Sequence, residues 1–174
     1  MKKQIISAIL AGAMMLGVAG CNANGGAAKK DKYTIGICQL VQHDALDAAT
    51  KGFKDALIER LGADHVVFDE QNASGDSSTA TMICQNFASQ NVDLIMANAT
   101  PALQAAANGT TTIPVLGTSI TEYGTALGIA DFSGTVGNNI SGTSDLAPLD
   151  QQAAMLNELF PEAKTVGLLY CSSE

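Results

Sequence analysis

The chain has 174 residues, of which 47% are hydrophobic and 15% are charged, and its formal net charge at pH 7 is −8. This length and apolar content are sufficient for a buried core and exclude an intrinsically disordered chain. The acidic balance provides no basic surface for nucleic acid, so nucleic-acid binding is excluded as well.

The amino-terminal 21 residues have the pattern of a bacterial lipoprotein signal. Lys2 and Lys3 precede an apolar stretch over residues 5–18, which is shorter than a membrane-spanning helix requires. Val18-Ala19-Gly20-Cys21 matches the lipobox, in which the cysteine is acylated and becomes the mature amino terminus. An ordinary secretory signal with a chance cysteine is the alternative. The pattern predicts lipidation of Cys21 and attachment to the extracytoplasmic face of the cell membrane.

Three later cysteines form no recognisable motif. Cys38, Cys84 and Cys171 have no Cys-x-x-Cys spacing, so the sequence indicates neither a zinc site nor a thioredoxin-like redox site. An odd number of cysteines in an exported protein leaves at least one thiol unpaired. Because Cys38 lies in an apolar predicted strand and Cys84 in a predicted helix, we expect buried thiols.

The mature chain alternates predicted strands with predicted helices. Such alternation predicts an α/β fold with a doubly wound parallel sheet and right-handed crossovers. Strands are predicted over residues 33–40, 66–68, 93–97 and 113–117, and helices over residues 44–61, about 78–90 and 101–107. Residues 119–128 are predicted to be a loop that leads at most to a small helix, and residues 135–137 are weakly strand-like.

Capping residues, glycines and prolines predict where these helices and strands begin and end. Thr100 is a suitable N-cap and Pro101 fits the first helical position, where its missing N–H is not needed. Ser77 or Ser78 can cap the preceding helix, and Gly62 is a plausible end for the first one. Pro114 indicates either an edge strand or the first position of a strand.

A second unit begins after residue 144. An amphipathic helix is predicted over residues 149–160 and a buried strand over residues 165–170, and together these are too little for a core. We interpret them as the start of an incomplete second α/β lobe, or as a strand that extends the first sheet. The predicted organisation is a signal peptide over residues 1–20, a flexible tether over 21–31, a first lobe over 32–144 and the start of a second lobe over 145–174.

The polar segments that follow the predicted strands are candidates for ligand contact. In doubly wound sheets ligands bind beyond the carboxyl ends of the strands. The turn at Thr100 and Pro101 offers free backbone N–H groups at the positive end of a helix dipole, where carboxylates and phosphates bind. Because no Gly-x-Gly-x-x-Gly or P-loop motif is present, the sequence does not indicate a nucleotide site.

No catalytic constellation is found in the sequence. A Gly-x-Ser-x-Gly nucleophile motif is absent, and His43 and His65 do not have the His-Glu-x-x-His spacing of a zinc site. His43 beside Asp44 is either a hydrogen-bonding pair over a ligand or a residue at a helix start. We therefore predict no catalytic residue, no metal ligand and no cofactor, and expect that the protein is not an enzyme.

Several segments resemble one family in the same order and spacing. Ile35-Gly36-Ile37-Cys38-Gln39, His43-Asp44-Ala45-Leu46-Asp47 and Gly52-Phe53 resemble the first strand and helix of ABC-transporter substrate-binding lipoproteins related to the tryptophan-binding, TrpX-like proteins. Similar segments follow at residues 71–76, 99–102, 113–115, 139–145 and 161–170. The resemblance implies a type I periplasmic-binding-protein fold, in which two lobes close on an amino acid, often an aromatic one.

Two features depart from the family pattern. Members of the family are longer, so most of a second lobe is absent here. The family usually has Thr-Asp after the fourth strand, whereas this chain has Thr121-Glu122, which moves the carboxylate outward by one methylene group.

The resemblance also implies a ligand site and partners. Backbone N–H groups near Thr100 and the hydroxyls of Ser119 and Thr121 would hold an α-carboxylate, and Asp145 would pair with an α-ammonium. The implied partners are a small-molecule solute and the permease and ATPase subunits of an ABC importer. Alternatives are a surface lipoprotein with an adhesive or sensory role, and an α/β enzyme with an unrecognised site. The full set of implied ligand-binding residues is Gln39, His43, Asn72, Thr100, Ser119, Thr121 and Asp145.

Overall fold

The computed structural model describes residues 30–169, which form an α/β unit around one parallel sheet. The predicted signal peptide, the acylation site Cys21, nearly all of the predicted tether, and Cys171 lie outside the described residues. The strands are β1 (Tyr33–Gln39), β2 (Val66–Asn72), β3 (Leu94–Asn98), β4 (Val115–Ile120) and β5 (Ile140–Ser144). The helices are α1 (Asp44–Leu61), α2 (Ser77–Gln90), α3 (Thr100–Gly109), α4 (Tyr123–Leu127) and α5 (Leu149–Leu159).

The strand order is β2-β1-β3-β4-β5, and every neighbouring pair is parallel. The order changes direction at β1, where the chain moves first outward to β2 and then back across to β3. The doubly wound parallel sheet predicted from the alternation of elements is therefore confirmed.

Alternation along β1 divides the core between the two faces of the sheet. Ile35 and Ile37 pack with Met96 and with residues of α1 on one face. On the other face Cys38 joins the larger buried cluster, which contains Cys84 and Phe87 of α2 and residues of β3, α3 and β4. Because successive side chains of a strand point to opposite faces, one apolar strand supports both layers of helices.

The cysteine prediction is confirmed within the described residues. Cys38 and Cys84 are both free and fully buried. A hydrogen bond with Cys38 and burial together raise the pKa of the Cys84 thiol. Both thiols therefore act as small apolar side chains of the core.

The central strand has the form that its sequence predicts. In β3, Leu94 is half-buried and the residues from Ile95 to Asn98 are buried, as expected for a strand covered on both faces. Pro114 lies directly before β4, which pairs with β3 on one side and β5 on the other. The edge-strand interpretation of Pro114 is thus wrong, and the interpretation as the start of a strand is right, because a residue there needs no ladder N–H.

The ends of several elements differ from the predictions. The α2 helix is capped by Asp76 instead of a serine, and the Asp76 carboxylate accepts hydrogen bonds from both the backbone N–H and the hydroxyl of Thr79. The β2 strand continues to Asn72, because its pairing with β1 extends to the Gln39–Asn72 pair. The weak strand signal at residues 135–137 is wrong; the fifth strand begins at Ile140, where pairing with Val115 becomes possible.

The second unit forms no core within the described residues. The α5 helix is exposed along its length, and residues 165–169 are not in a strand, contrary to the sequence prediction. Leu168 and Leu169 have exposed fractions of 88% and 103%. Because a strand needs a neighbour for its backbone hydrogen bonds, this apolar segment remains irregular where no described strand lies beside it. Within residues 30–169 no helix is both long enough and apolar enough to cross a bilayer.

Gly36 provides a test of the packing between β1 and α2. A Cβ at this position would lie 2.7 Å from the Cγ and Cδ2 atoms of the Phe87 ring, which is itself fully buried. We expect Gly36→Ala to lower the free energy of unfolding by about 1–3 kcal/mol, because the ring cannot move without disturbing the core. Urea denaturation of the two proteins measures the difference.

Gly52→Ala is the matched control for this substitution. Gly52 lies within α1, and a Cβ there would meet no atom within 4 Å. Alanine should stabilise the helix by up to about 1 kcal/mol. If Gly36→Ala were as stable as the wild type, the close packing of β1 on α2 would be incorrect.

Candidate functional site

The carboxyl ends of the five strands form one polar rim of the sheet, and the predicted ligand-binding residues lie along it. Gln39 and Asn72 are the last residues of β1 and β2, Thr100 and Asp145 follow β3 and β5 closely, and Ser119 lies near the end of β4. The remaining two residues, His43 and Thr121, lie before α1 and directly after β4. The structure therefore brings all seven to the same edge.

The width of this rim limits which residues can contact one small molecule. Neighbouring strands lie about 4.8 Å apart, so the five-strand edge from β2 to β5 spans about 19 Å. An amino acid bound at the rim can contact the ends of two or three neighbouring strands. A cavity of about 370 Å³ lies at the ends of β1 and β2, and one of about 740 Å³ lies beside β5, lined by residues that precede this strand as well as by residues that follow β4.

The Gln39 side chain is held by internal hydrogen bonds. Its Nε2 donates to Asp47 Oδ1 at 2.6 Å and to the Val41 carbonyl at 2.9 Å, and its Oε1 accepts a hydrogen bond from the Thr50 hydroxyl at 2.7 Å. Only 5% of Gln39 is exposed. Both amide hydrogens are therefore already used before any ligand binds.

Asn98 belongs to the same network and was not singled out from the sequence. Its Nδ2 donates to the Leu46 carbonyl at 2.8 Å and to Thr50 Oγ1 at 3.0 Å, while its Oδ1 has no hydrogen-bond partner among the described residues. The available signal was a polar residue ending an otherwise apolar buried strand. Thr50 could not be recognised from the sequence, because it lies within a predicted helix and a threonine there does not by itself indicate a binding role.

His43 and Asn72 lie on exposed parts of the rim. His43 is the N-cap of α1, and its Nδ1 accepts a hydrogen bond from the backbone N–H of Ala45 at 3.2 Å. The Asn72 Oδ1 accepts from the backbone N–H of Ser74 at 2.8 Å, which closes a turn after β2. Each side chain retains further polar atoms that a ligand could use.

The turn between β3 and α3 is strained. Ala99, rather than Thr100, occupies the N-cap position with φ 89° and ψ 156°, a region that is almost restricted to glycine, and no side chain caps this helix. The prediction that Thr100 caps α3 is therefore wrong, whereas Pro101 does lie in the first turn. The first N–H groups of α3 consequently have no side-chain cap among the described residues.

A second irregularity lies at the end of the neighbouring strand. The β4–β5 register shifts between Gly117 and Ile120, and Ser119 has a left-handed φ of 57° within this shift. Bulges of this kind redirect side chains and are frequent beside binding sites. The strained residues thus terminate β3 and β4, which are adjacent in the sheet.

The Glu122 carboxylate is occupied by local hydrogen bonds and is not available to a ligand at the rim. It caps the short α4 helix, and accepts hydrogen bonds from the Gly124 N–H at 2.7 Å, the Thr125 N–H at 2.6 Å and the Thr125 hydroxyl at 2.7 Å. The Thr125 hydroxyl, followed by the two backbone N–H groups, holds the pKa of this carboxyl below its usual range. The acidic residue that departs from the family pattern therefore has a local structural role.

Thr121 and Asp145 lie at the β5 end of the rim. The Thr121 carbonyl accepts a hydrogen bond from the Ser144 hydroxyl at 2.8 Å, and the backbone N–H of Asp145 donates to the Ile120 carbonyl at 3.0 Å. Burial, followed by the charge of Asp145, raises the pKa of Tyr123. Residues 30–169 contain no group of acidic, histidine or cysteine side chains arranged to hold a metal ion.

Comparison with known proteins identifies the family of the chain. The family model for ABC transporter substrate-binding proteins matches residues 34–174. A tyrosine-binding protein of Clostridioides difficile strain R20291 is 40% identical over 186 residues, which covers 99% of this chain and 53% of that relative. The chain thus spans about half the length of the curated relative that it matches.

Three solved structures support the same relationship. A conserved domain protein from Vibrio cholerae has a TM-score of 0.74 and 31% identity, with 82% of this chain and 49% of that one covered. The L-Trp complex of an ABC domain from Streptococcus pneumoniae has a TM-score of 0.74 and 35% identity, with 82% and 48% covered. The ligand-free, open form of a Clostridium difficile substrate-binding protein with adhesive properties has a TM-score of 0.69 and 41% identity, with 82% and 48% covered.

Ala99→Gly tests the strain at the start of α3. Glycine adopts the observed dihedral angles without steric penalty, so we expect the free energy of unfolding to rise by about 1 kcal/mol. Ala107→Gly, inside the same helix, should instead lower it by about 1 kcal/mol. Urea denaturation measures both, and equal destabilisation by the two substitutions would contradict the strained turn.

Glu122 predicts a defined pH dependence of stability. Because its pKa is lower in the folded than in the unfolded chain, its contribution is present above the unfolded-state pKa and is lost as the pH falls through the folded-state pKa. We expect Glu122→Gln to remove this part of the acid dependence while it retains the fold. Urea denaturation over a pH series checks this, and an unchanged pH profile would contradict the cap.

Proposed function

Because the chain belongs to the family of ABC transporter substrate-binding proteins, we propose that it forms one lobe of an extracytoplasmic lipoprotein that captures an amino acid for an ABC importer. The observation that carries the proposal is the single polar rim formed by the carboxyl ends of all five strands. An aromatic amino acid is the favoured solute, since one relative is a tyrosine-binding protein and another is described in complex with L-Trp.

The proposed carboxylate site lies at the ends of β3 and β4. The uncapped N–H groups in the first turn of α3, next to Thr100, and the hydroxyls of Ser119 and Thr121 are suitable donors for an α-carboxylate. The strain at Ala99 supports this position, because backbone in such a conformation persists where the surroundings require it and is concentrated at functional sites. The remaining proposed contacts are Gln39, His43, Asn72 and Asp145.

The rest of the proposed transport cycle depends on parts outside the described residues. A second lobe would close over the rim, exclude water and enclose the solute side chain. Acylation at Cys21 would hold the protein at the cell membrane, where it would deliver the solute to permease and ATPase subunits. We also propose that the protein is not an enzyme, since the relatives are described as binding proteins.

Surface adhesion is a second candidate function. One structural relative is described as a substrate-binding protein with adhesive properties. The two functions are compatible, because adhesion would use an outer surface and solute capture would use the rim.

Ligand-dependent thermal stabilisation tests the proposal. The protein, purified from the cells that produce it, is heated with L-tyrosine, L-tryptophan or L-phenylalanine, and with D-tryptophan and L-glutamate as controls. A solute at 100 times its Kd should stabilise the fold by about 2.7 kcal/mol and raise the Tm accordingly. Native mass spectrometry of the same sample detects a co-purified solute and the added lipid mass.

Two results would contradict this function. If no amino acid raised the Tm of the folded protein, amino-acid capture would be wrong. If the mass corresponded to an unmodified chain, the proposed lipid anchor at Cys21 would be wrong, although solute binding would be unaffected.

A further inference from the structure

The cavity at the ends of β1 and β2 contains one carboxylate, that of Asp47, which forms no ion pair among the described residues. Its volume is about 370 Å³ and its walls are formed by Gln39, Gln42, Asp47, Glu70, Gln71 and Asn72. The Glu70 carboxylate forms an ion pair with Lys54 at 2.6 Å. Asp47 forms no ion pair within residues 30–169, and its partner is the uncharged Gln39 amide. The cavity therefore contains one carboxylate that no ion pair occupies, and such a group can bind a cationic ligand group.

A chain of buried hydrogen bonds orients this carboxylate. The Asn98 amide donates to the Thr50 hydroxyl, the Thr50 hydroxyl donates to Gln39 Oε1, and Gln39 Nε2 donates to Asp47. The exposed fractions of Asn98, Thr50 and Gln39 are 0%, 3% and 5%. Each residue donates a hydrogen bond to the next one, and the last acceptor is the Asp47 carboxylate. The network therefore determines which atoms donate and holds the Asp47 carboxylate in position.

The orientation of Asn98 is determined by its neighbours. Its Nδ2 faces the Leu46 carbonyl, which can only accept, so the amide cannot be reversed. This orientation leaves Asn98 Oδ1 buried and without a partner among the described residues. An unpaired buried acceptor requires an explanation, and keeping the donor side towards the Leu46 carbonyl and the Thr50 hydroxyl provides one.

The strand order places Asp47 and Asp145 on opposite sides of the proposed carboxylate site. Gln39, which holds Asp47, ends β1, and β1 is adjacent to β3, which leads into Thr100. Asp145 follows β5, which is adjacent to β4, and its backbone N–H donates to the Ile120 carbonyl between Ser119 and Thr121. The ammonium and carboxylate groups of an α-amino acid are attached to the same carbon, so the ammonium partner must lie beside that site. Asp47 is the neighbouring acid that a buried network of hydrogen bonds orients.

We propose that Asp47 binds the ammonium group of the solute, and that Thr50 and Asn98 act as positioning residues through Gln39. This inference rests on the proposed capture of an amino acid and names the group that recognises it. Gln39 consequently supports the site without donating to the solute.

The test compares L-tyrosine with its analogue 3-(4-hydroxyphenyl)propionic acid, which lacks the ammonium group. Isothermal titration calorimetry on the protein purified from the cells that produce it gives the Kd ratio of the two probes. We expect Asp47→Asn to weaken L-tyrosine by about 10- to 100-fold, because a charged hydrogen bond becomes neutral, and to leave the analogue nearly unchanged. Asp44→Asn, an exposed acid in the same turn of α1, should preserve the wild-type ratio.

The positioning role of Thr50 is tested by the ratio of the affinities for the same two probes. Thr50→Val keeps the shape of the side chain and removes both hydrogen bonds of the hydroxyl, so it should reduce the discrimination between the two probes several-fold. Thr50→Ser restores the hydroxyl and should restore the ratio. A role in folding alone would lower the Tm of Thr50→Val and leave the ratio of the two affinities unchanged.

Several results distinguish the inference from the proposed function. If Asp145→Asn removed the discrimination and Asp47→Asn did not, the inference would be overturned while amino-acid capture remained supported. If Thr50→Val kept the wild-type ratio, the positioning role would be overturned. If the wild-type protein bound neither L-tyrosine nor any other amino acid, the proposed function would fail and the inference with it.

Discussion

The parallel pairing of β1 with both β2 and β3 is the constraint on which the rest of the molecule depends. It places the carboxyl ends of three strands side by side and brings the first turns of α1 and α3 to the same edge. Parallel pairing also requires each connection to cross a face of the sheet, which explains why helices cover both faces of β1. Without this pairing Gln39, Asp47 and Thr100 would have no common environment, and the rim would not exist.

The same constraint explains why polar residues are tolerated deep in the core. Asn98 ends a strand that is covered on both faces, so its amide cannot reach solvent. Its hydrogen bonds to α1 connect the helix to the strand, because they involve the Leu46 carbonyl and the Thr50 hydroxyl. Buried amides of this kind favour one arrangement of helix and sheet over others, since any shift of register leaves them unpaired.

The sequence was sufficient to predict the features that depend on repeated patterns. The apolar stretch within residues 93–97 predicted β3, and the alternation of elements predicted the parallel sheet and hence the edge that carries the rim. Features that depend on a single hydrogen bond or dihedral angle were not predictable. Asp76 and Thr100 are both suitable caps by type, yet only the former caps a helix, because Ala99 at the start of α3 adopts an unusual conformation. The role of Asp47 was hidden for a similar reason: an acid in the first turn of a helix is ordinary, and only its contact with Gln39 sets it apart.

The last strand of the sheet ends at Ser144, and no described residue after it joins the sheet. All partners required by β1, β3 and β4 are therefore present in a contiguous segment of the chain. A polypeptide that is synthesised amino end first can thus build this sheet before the residues that follow it are available, as domains generally do during synthesis. The order of the elements along the chain therefore allows the five-stranded edge to form before the residues after β5 have emerged.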